Sequence, residues 1–283
     1  MRLQPDALRR RQGRRQQEED VAAGAAPPYS TLLAAQAAWT VLRAVFWVLR
    51  TIQHGFRVPW ERRAPSKRSV GYALNDDELS WSKIEVGRWV LAGYVRRLSQ
   101  AAGACSPWVS PMFVVHGGKA RLVIGLRAIN RHIRNRDFQY QRLPSFLGTL
   151  VPGDHLVWWD GKDAFYHVRI LPAHRKIFRS VVAGFAYEPR VLPFGMKLSP
   201  WIWTKVMRPV VAALQLQGCR VNAYVDDFAS TSRGPHPSTA AAATVGRRDI
   251  LELFRRLGLQ VHPTNGEAWP SCRLASTWGG CTT

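Results

Sequence analysis

Acidic residues are scarce in this chain: 19 Asp and Glu stand against 40 Lys and Arg among 283 residues, a formal net charge of +21. The imbalance runs along the whole sequence rather than sitting in one tail. It points to a polyanionic partner, nucleic acid first and an anionic membrane second. Cysteine is scarce too. Cys105, Cys219, Cys272 and Cys281 are far apart and form no CxxC pair. Neither a zinc site nor a secreted disulfide framework is therefore expected, and reduced thiols in an intracellular protein are. No uncharged apolar run reaches the length of a membrane span. The opening stretch, MRLQPDALRRRQGRRQQEED, lacks the apolar core of a signal peptide. No internal repeat is found. The hydrophobic share, 46%, is ordinary for a globular protein and allows one large domain or two modest ones.

Residues 1–30 are rich in Arg and Gln, then in Ala, Gly and Pro, and read as a disordered basic tail. The RRRQGRR run inside it reads equally as a nuclear address, an RNA-binding arm or a solvated tail. In residues 31–57, Trp39, Leu42, Phe46, Leu49, Ile52 and Phe56 recur at helical spacing, with Gln36, Arg43, Arg50 and Arg57 as a polar stripe. Such a helix packs on a domain or lies on a membrane, and packing is the favoured reading. A linker, PWERRAPSKRS, follows at 59–69. Asn75 and Glu78 form a capping box for a helix running through Trp81, Ile84, Leu91 and Leu98. SPMFVVHGGKARLVIGL reads as two strands about a Gly-Gly turn. DHLVWWD reads as a buried strand, and Ser199-Pro200 opens a helix that Pro209 kinks or breaks before Gly218. VNAYVDDFAS is a strand, a turn and a return strand, and a helix over 239–257 closes at Gly258. From Asp154 the order is β, α, β, β, α, β, the split βαβ arrangement of two helices against an antiparallel sheet.

Two adjacent aspartates after an apolar strand need a physical reason, because neighbouring carboxylates repel each other. Alternation places Asn222, Tyr224 and Asp226 on one face of their strand, and Leu156, Trp158 and Asp160 on one face of theirs. If the two strands share a sheet, Asp160 and Asp226 lie at one edge, with Asp227 following at the turn. Three carboxylates make an oxygen-only site suited to Mg²⁺ that completes its shell with waters and phosphate oxygens. Taken singly the other residues have plainer readings. Phe165 is core, Lys119 a solvated hairpin tip, Arg121 half of an ion pair, and Trp201 and Trp203 packing residues.

Residues 105–280 resemble a reverse transcriptase, in particular that of gypsy-like and DIRS-like retrotransposons. The resemblance rests on five motifs in order: SPWVSPMFVVHGGKARLVIGLRAIN, WWDGKDAFYHVRI, LPFGMKLSPWIWTKVMRPVV, YVDDF, and LGLQVHP with the closing TWGG. It implies an α+β fold with a ferredoxin-like split βαβ palm and β-rich fingers over 70–283, and a helical N-terminal extension over 31–69. It implies RNA-directed DNA synthesis, with Asp160, Asp226 and Asp227 as catalytic metal ligands for Mg²⁺ or Mn²⁺. Lys119, Arg121, Asp163, Ala164, Phe165 and Phe194 fall where the family holds the incoming nucleotide, Phe165 crowding the 2′ position of its sugar. The implied partners are an RNA or DNA template with its primer and deoxynucleoside triphosphates; no membrane is expected.

The chain departs from the family pattern in three places. Gly125 stands where an aspartate is usual. Asn265 stands near the position of a lysine that protonates the leaving pyrophosphate, and an amide cannot act as an acid; His262 is the nearby titratable group. The chain stops at Thr283, where the family continues into a thumb, a connection and an RNase H domain. A truncated, non-catalytic nucleic-acid-binding fragment is therefore the alternative expectation.

Overall fold

The computed structural model describes residues 27–62, 74–99, 108–116, 120–140, 143–151, 155–231, 240–262, 271–274 and 281–282. In chain order the main elements are α1 (Pro28–Ala34), α2 (Gln36–Val41), α3 (Phe46–His54), α4 (Asp76–Leu91), β1 (Val95–Arg97), β2 (Met112–Val115), β3 (Arg121–Ile124), β4 (His155–Asp160), β5 (Ser180–Val182), β6 (Phe185–Pro189), α5 (Ser199–Leu216), β7 (Val221–Tyr224), β8 (Asp227–Thr231), α6 (Ala240–Arg256), β9 (Ser271–Leu274) and β10 (Cys281–Thr282). This is an α+β chain whose sheets are antiparallel. It divides into two compact units. The first takes its described residues from Ala64–Ile129 and Pro172–Arg190, with Pro27. The second takes them from Pro28–Arg63, Asn130–Leu171 and Val191–Thr283.

In the first unit α4 starts at the expected capping box: Asn75 accepts from the Glu78 amide and Glu78 accepts from the Asn75 amide. The helix ends at Leu91 rather than running through Leu98, and Ile84 and Leu91 are exposed while Ser82 and Val86 are buried. The apolar spacing is real, but the buried stripe is the one that meets β1 and β5. The hairpin β2–β3 pairs as the sequence indicates, Val115 opposite Arg121; its Gly117–Lys119 tip lies outside the described residues. A separate sheet runs β1-β6-β5. In it Glu188, 5% exposed, receives hydrogen bonds from Arg96 (2.8 Å) and Arg179 (2.8 Å). A buried carboxylate is tolerable only with such charged donors.

The second unit is built on a five-stranded sheet of order β10-β9-β4-β8-β7. Four of its strands, β9-β4-β8-β7, follow the split βαβ order: the first and third pair at the centre, the fourth and second flank them. Alternation along β4 buries Val157 and Trp159 and exposes Trp158 and Asp160. Trp159 stacks on its cross-strand partner Phe228 at 5.3 Å, and Phe254 of α6 meets both rings edge-on. α5 buries Ile202, Trp203, Val206, Met207, Val210 and Leu214, one helical stripe. It begins at Ser199 with Leu198 as its cap residue, and Pro209 sits inside a continuous helix rather than breaking it.

Residues 28–58 also belong to this unit. The single 31–57 helix expected from periodicity is three helices: it is interrupted at Ala35 between α1 and α2, and it breaks between α2 and α3 where Arg43 adopts a left-handed conformation (φ 56°). The rotation buries Trp39, Val48, Ile52 and Phe56 but leaves Phe46 in solvent. No helix among the described residues is long and apolar enough to cross a membrane. The start of the stretch read as a linker is paired as well: Trp60 bridges Ile133 and the Glu61 amide donates to the His132 carbonyl.

Candidate active site

The carboxylates meet at one end of the central strand pair. Asp160 is the last residue of β4, and its register partner is Asp227, the first residue of β8. Asp226 lies in the two-residue turn, since Tyr224 pairs with Asp227. This corrects the expected register, in which Asp226 ended the strand and Asp227 lay at the turn. β4 pairs with β8, the return strand, and not with β7. Asp160 and Asp227 face each other across the strands, and Asp226 and Asp163 stand close enough for Asp160 to feel their charge. Partial burial, then the charge of Asp226, push the Asp160 carboxyl up from 3.8 to about 6; Asp227 and Asp163 add to the rise and His262 opposes it.

The turn that carries Asp226 is strained and restrained. Val225 has φ 57°, a conformation that glycine adopts freely and a β-branched residue resists. Two hydrogen bonds hold it there. The indole N–H of Trp203, 1% exposed, donates to the Val225 carbonyl at 2.7 Å, and the Gly161 amide donates to the Asp226 carbonyl at 2.7 Å. Trp203 reads as a packing residue in the sequence, and it is one, but its polar tip fixes the hairpin.

The loop after Asp160 is tied to the strip that follows α6. The His262 amide donates to the Asp160 carbonyl (2.8 Å) and the Lys162 amide to the Gln260 carbonyl (3.0 Å). His167 is fully buried. Its Nε2 accepts from the Gln260 amide at 3.1 Å and its Nδ1 faces the Asp163 carbonyl at 3.2 Å. Burial lowers its pKa from 6.5 to about 4, so the ring is neutral at pH 7 and carries its proton on Nδ1. Asp163 is left-handed (φ 56°) and precedes a 3₁₀ turn, Ala164–His167, that sets Ala164 and Phe165 beside the site. The Phe165 ring is buried and lies 5.3 Å from the exposed ring of Phe194. Asn130 holds the Phe194 loop from both sides, donating to the Gly195 carbonyl (2.8 Å) and accepting from the Lys197 amide (3.1 Å). Nothing in the sequence pattern flags His167 or Asn130; each is a polar residue inside an otherwise apolar motif, and that mismatch is the available signal.

A row of rings lies beside the hairpin: Tyr140 is 4.7 Å from Tyr224 and 4.9 Å from Phe138. Desolvation, then the Tyr224 phenol, raise the Tyr140 pKa above the ordinary value. Trp201 is half-buried against Trp47, with Arg136 and Lys205 at 6.0 and 5.7 Å from its ring. Arg121 belongs to the first unit, exposed at the start of β3. Lys119 and Asn265 lie outside the described residues.

The donor set suits a hard divalent cation. Oxygen-only carboxylates that raise one another's proton affinity are stabilised when a positive ion takes the proton's place. Among the described residues no group of three or more His, Cys, Asp or Glu side chains is placed so that it could hold a metal ion. The cross-strand pair Asp160 and Asp227 is an oxygen-only pair that fits an ion taking its remaining ligands from water and phosphate.

Comparison with known proteins gives the class. Residues 116–266, just over half of the chain, match the family described as reverse transcriptase (RNA-dependent DNA polymerase), and the chain belongs to that family. It is 25% identical over 232 residues to the Gag-Pro-Pol polyprotein of squirrel monkey retrovirus, covering 72% of this chain and 12% of that polyprotein. It is 26% identical over 198 residues to the Gag-Pol polyprotein of Rous sarcoma virus subgroup B, covering 64% of this chain and 12% of the relative. Against the mouse intracisternal A-particle Pol-related polyprotein it is 33% identical over 113 residues, 37% of this chain and 13% of the relative. The chain thus spans about one eighth of the length of these curated relatives.

Proposed function

We propose that this chain is the catalytic core of an RNA-directed DNA polymerase from a retroelement of the gypsy-like or DIRS-like kind, its second unit a palm and its first a fingers domain. The observation that carries the reading is the pairing of Asp160 with Asp227 across β4 and β8, with Asp226 on the adjoining turn. The split βαβ strand order around that pair supports the palm assignment.

Asp160, Asp226 and Asp227 would hold Mg²⁺ or Mn²⁺. When bound, the metal lowers the pKa of the attacking hydroxyl and neutralises charge on the leaving pyrophosphate. The primer 3′-hydroxyl displaces pyrophosphate from the α-phosphorus of a deoxynucleoside triphosphate, forming one phosphodiester bond. The protein's part is positioning. Phe165, backed by Phe194, excludes a 2′-hydroxyl, and backbone groups at Asp163 and Ala164 hold the phosphates. By resemblance to the family, Lys119 and Arg121 would be the residues that bind the triphosphate. The +21 charge follows the template–primer backbone, so binding weakens steeply with salt.

The alternative is a nucleic-acid-binding domain without catalysis, favoured by Asn265 in place of the acid and by the open carboxylate cluster. Primer extension on poly(rA)–oligo(dT) with dTTP, in Mg²⁺ and separately in Mn²⁺, decides between them. Extension by the natural chain that is lost in a folded Asp226→Ala variant establishes the polymerase. Duplex binding without extension in either protein overturns it.

A further inference from the structure

We propose that the segment 28–58, which lies outside the matched residues 116–266, is a positioning element for the active-site loop. The loop that carries Asp160, Asp163, Ala164 and Phe165 is anchored at two places, and this segment reaches both.

The first anchor follows α6. Trp39, fully buried, donates its indole N–H to the Leu257 carbonyl at 2.9 Å. The Thr31 hydroxyl is 2.7 Å from the Gly258 carbonyl and 2.8 Å from that of Pro28, donating to one at a time. Gly258 has φ +69°, and a Cβ there would collide with the Thr31 backbone. Glycine is thus required both by the left-handed turn and by the approach of α1. Two residues further on, Gln260 bonds Lys162 and His167, and His262 bonds the Asp160 carbonyl. The second anchor follows the 3₁₀ turn. The Phe56 amide donates to the Arg169 carbonyl (2.7 Å), the Leu171 amide to the Phe56 carbonyl (3.0 Å), and the Arg169 guanidinium to the Gln53 carbonyl (2.7 Å). Gly55 lets the two backbones close, since a Cβ there would sit 2.9 Å from the Ile170 carbonyl carbon.

Residues 160–168 therefore run between two points held by one N-terminal segment. That segment also packs directly on the loop, α1 against the 3₁₀ turn Ala164–His167, and its hydrogen bonds reach the loop through residues 257–262 and 169–171. Only the activity arm of the test rests on the polymerase reading.

The test uses the full chain with Thr31→Val, which keeps the shape and removes the donor, Trp39→Phe, which removes the N–H, and Thr31→Ser, which keeps the hydroxyl. Hydrogen exchange of the amides of Lys162, Gln260 and His262 is the primary readout. Thr31→Val and Trp39→Phe should each speed it about tenfold, with Thr31→Ser at the natural rate. The kcat for primer extension should fall several-fold in the same two variants while the primer–template KM stays within twofold. Faster exchange confined to residues 28–58 and 257–258, with 160–162 and 260–262 unchanged, overturns the proposal. Faster exchange that Thr31→Ser reproduces overturns it too. If the natural chain extends no primer, the polymerase reading fails and the exchange measurement still decides the positioning role.

Discussion

Replacing Trp203 by Phe isolates the contact that holds the Asp226 turn. The ring pocket stays mostly filled, but the donor to the Val225 carbonyl is gone. Two effects add. The missing part of the indole is equivalent to about two methylene groups, roughly 1.5–2 kcal/mol for a side chain this deeply buried. The lost hydrogen bond adds about 1 kcal/mol. The lower end of that range applies, because Asp226 next to the carbonyl is exposed and water can reach the turn. The sum is about 2.5 kcal/mol. With a urea m-value of about 2–3 kcal/mol/M for a protein of this size, the unfolding midpoint should fall by about 1 M.

Stability alone does not test the idea, since any large core substitution reduces it. The discriminating quantity is extension per folded molecule, measured well below the new midpoint. Val225 is held at a φ that costs about 1–3 kcal/mol. With one of its two restraints removed the turn should relax and move Asp226 away from Asp160, and kcat should fall at least tenfold. A stability loss under about 1 kcal/mol, or an unchanged kcat in folded protein, would refute the argument that the indole N–H sets the turn.

His167 predicts an acid-sensitive fold. Its pKa is about 4 when buried against 6.5 when free, so below pH 6.5 the unfolded chain takes a proton that the folded chain refuses. Its contribution is complete above pH 6.5 and falls by about 3 kcal/mol as the pH drops to 4; urea melts of the natural chain and of His167→Gln should show that slope in the first only. Glu188→Gln should cost about 2–3 kcal/mol, because Arg179 loses its charged acceptor in a buried site while the half-exposed Arg96 regains water; a change below 1 kcal/mol by chemical denaturation would sink the assignment. Gly125→Asp, which restores the residue usual in the family, should destabilise by about 1–2 kcal/mol. Its Cβ would stand 2.9 Å from the Pro111 ring, and a gain in melting temperature would contradict this.

The elements with strong local signals were legible in the sequence: the capping box at Asn75, the β2–β3 hairpin, the buried strand ending at Asp160, and the helix closed by Gly258. The conformations that misled are those in which a residue without a turn signature adopts a positive φ. Arg43 breaks the N-terminal helix, and the 3.6-residue spacing of Trp39, Leu42 and Phe46 runs straight across the break. Val225 makes the tight turn of the aspartate hairpin, and its β-branched side chain carried the strand pattern one residue too far, exchanging Asp226 and Asp227. The Val225 conformation is held by partners distant in sequence, Trp203 and Gly161. The site residues were visible as residue types; their register depended on contacts that no local window contains.

A chain with a charge of +21 gains nothing electrostatically from a cluster of carboxylates at the place where it should meet phosphate. The positive field draws a polyanion towards the protein, but Asp226 and its neighbours repel it locally unless a cation intervenes. That conflict can be measured apart from chemistry. Asp226→Asn removes one charge, keeps the shape, and leaves the backbone bonds of the turn in place. Without divalent metal, one fewer negative charge about 5–8 Å from a phosphate is worth about 0.5–1 kcal/mol at effective dielectric constants near 60–80, so a labelled primer–template should bind two- to fivefold tighter. With Mg²⁺ the natural chain should recover that affinity and the variant should gain less, because it has lost a ligand. Tighter binding in EDTA together with abolished extension in Mg²⁺ would mark the carboxylates as residues selected against their own electrostatics for metal-dependent chemistry. Equal binding with and without metal in both proteins would mean that phosphate never comes near them.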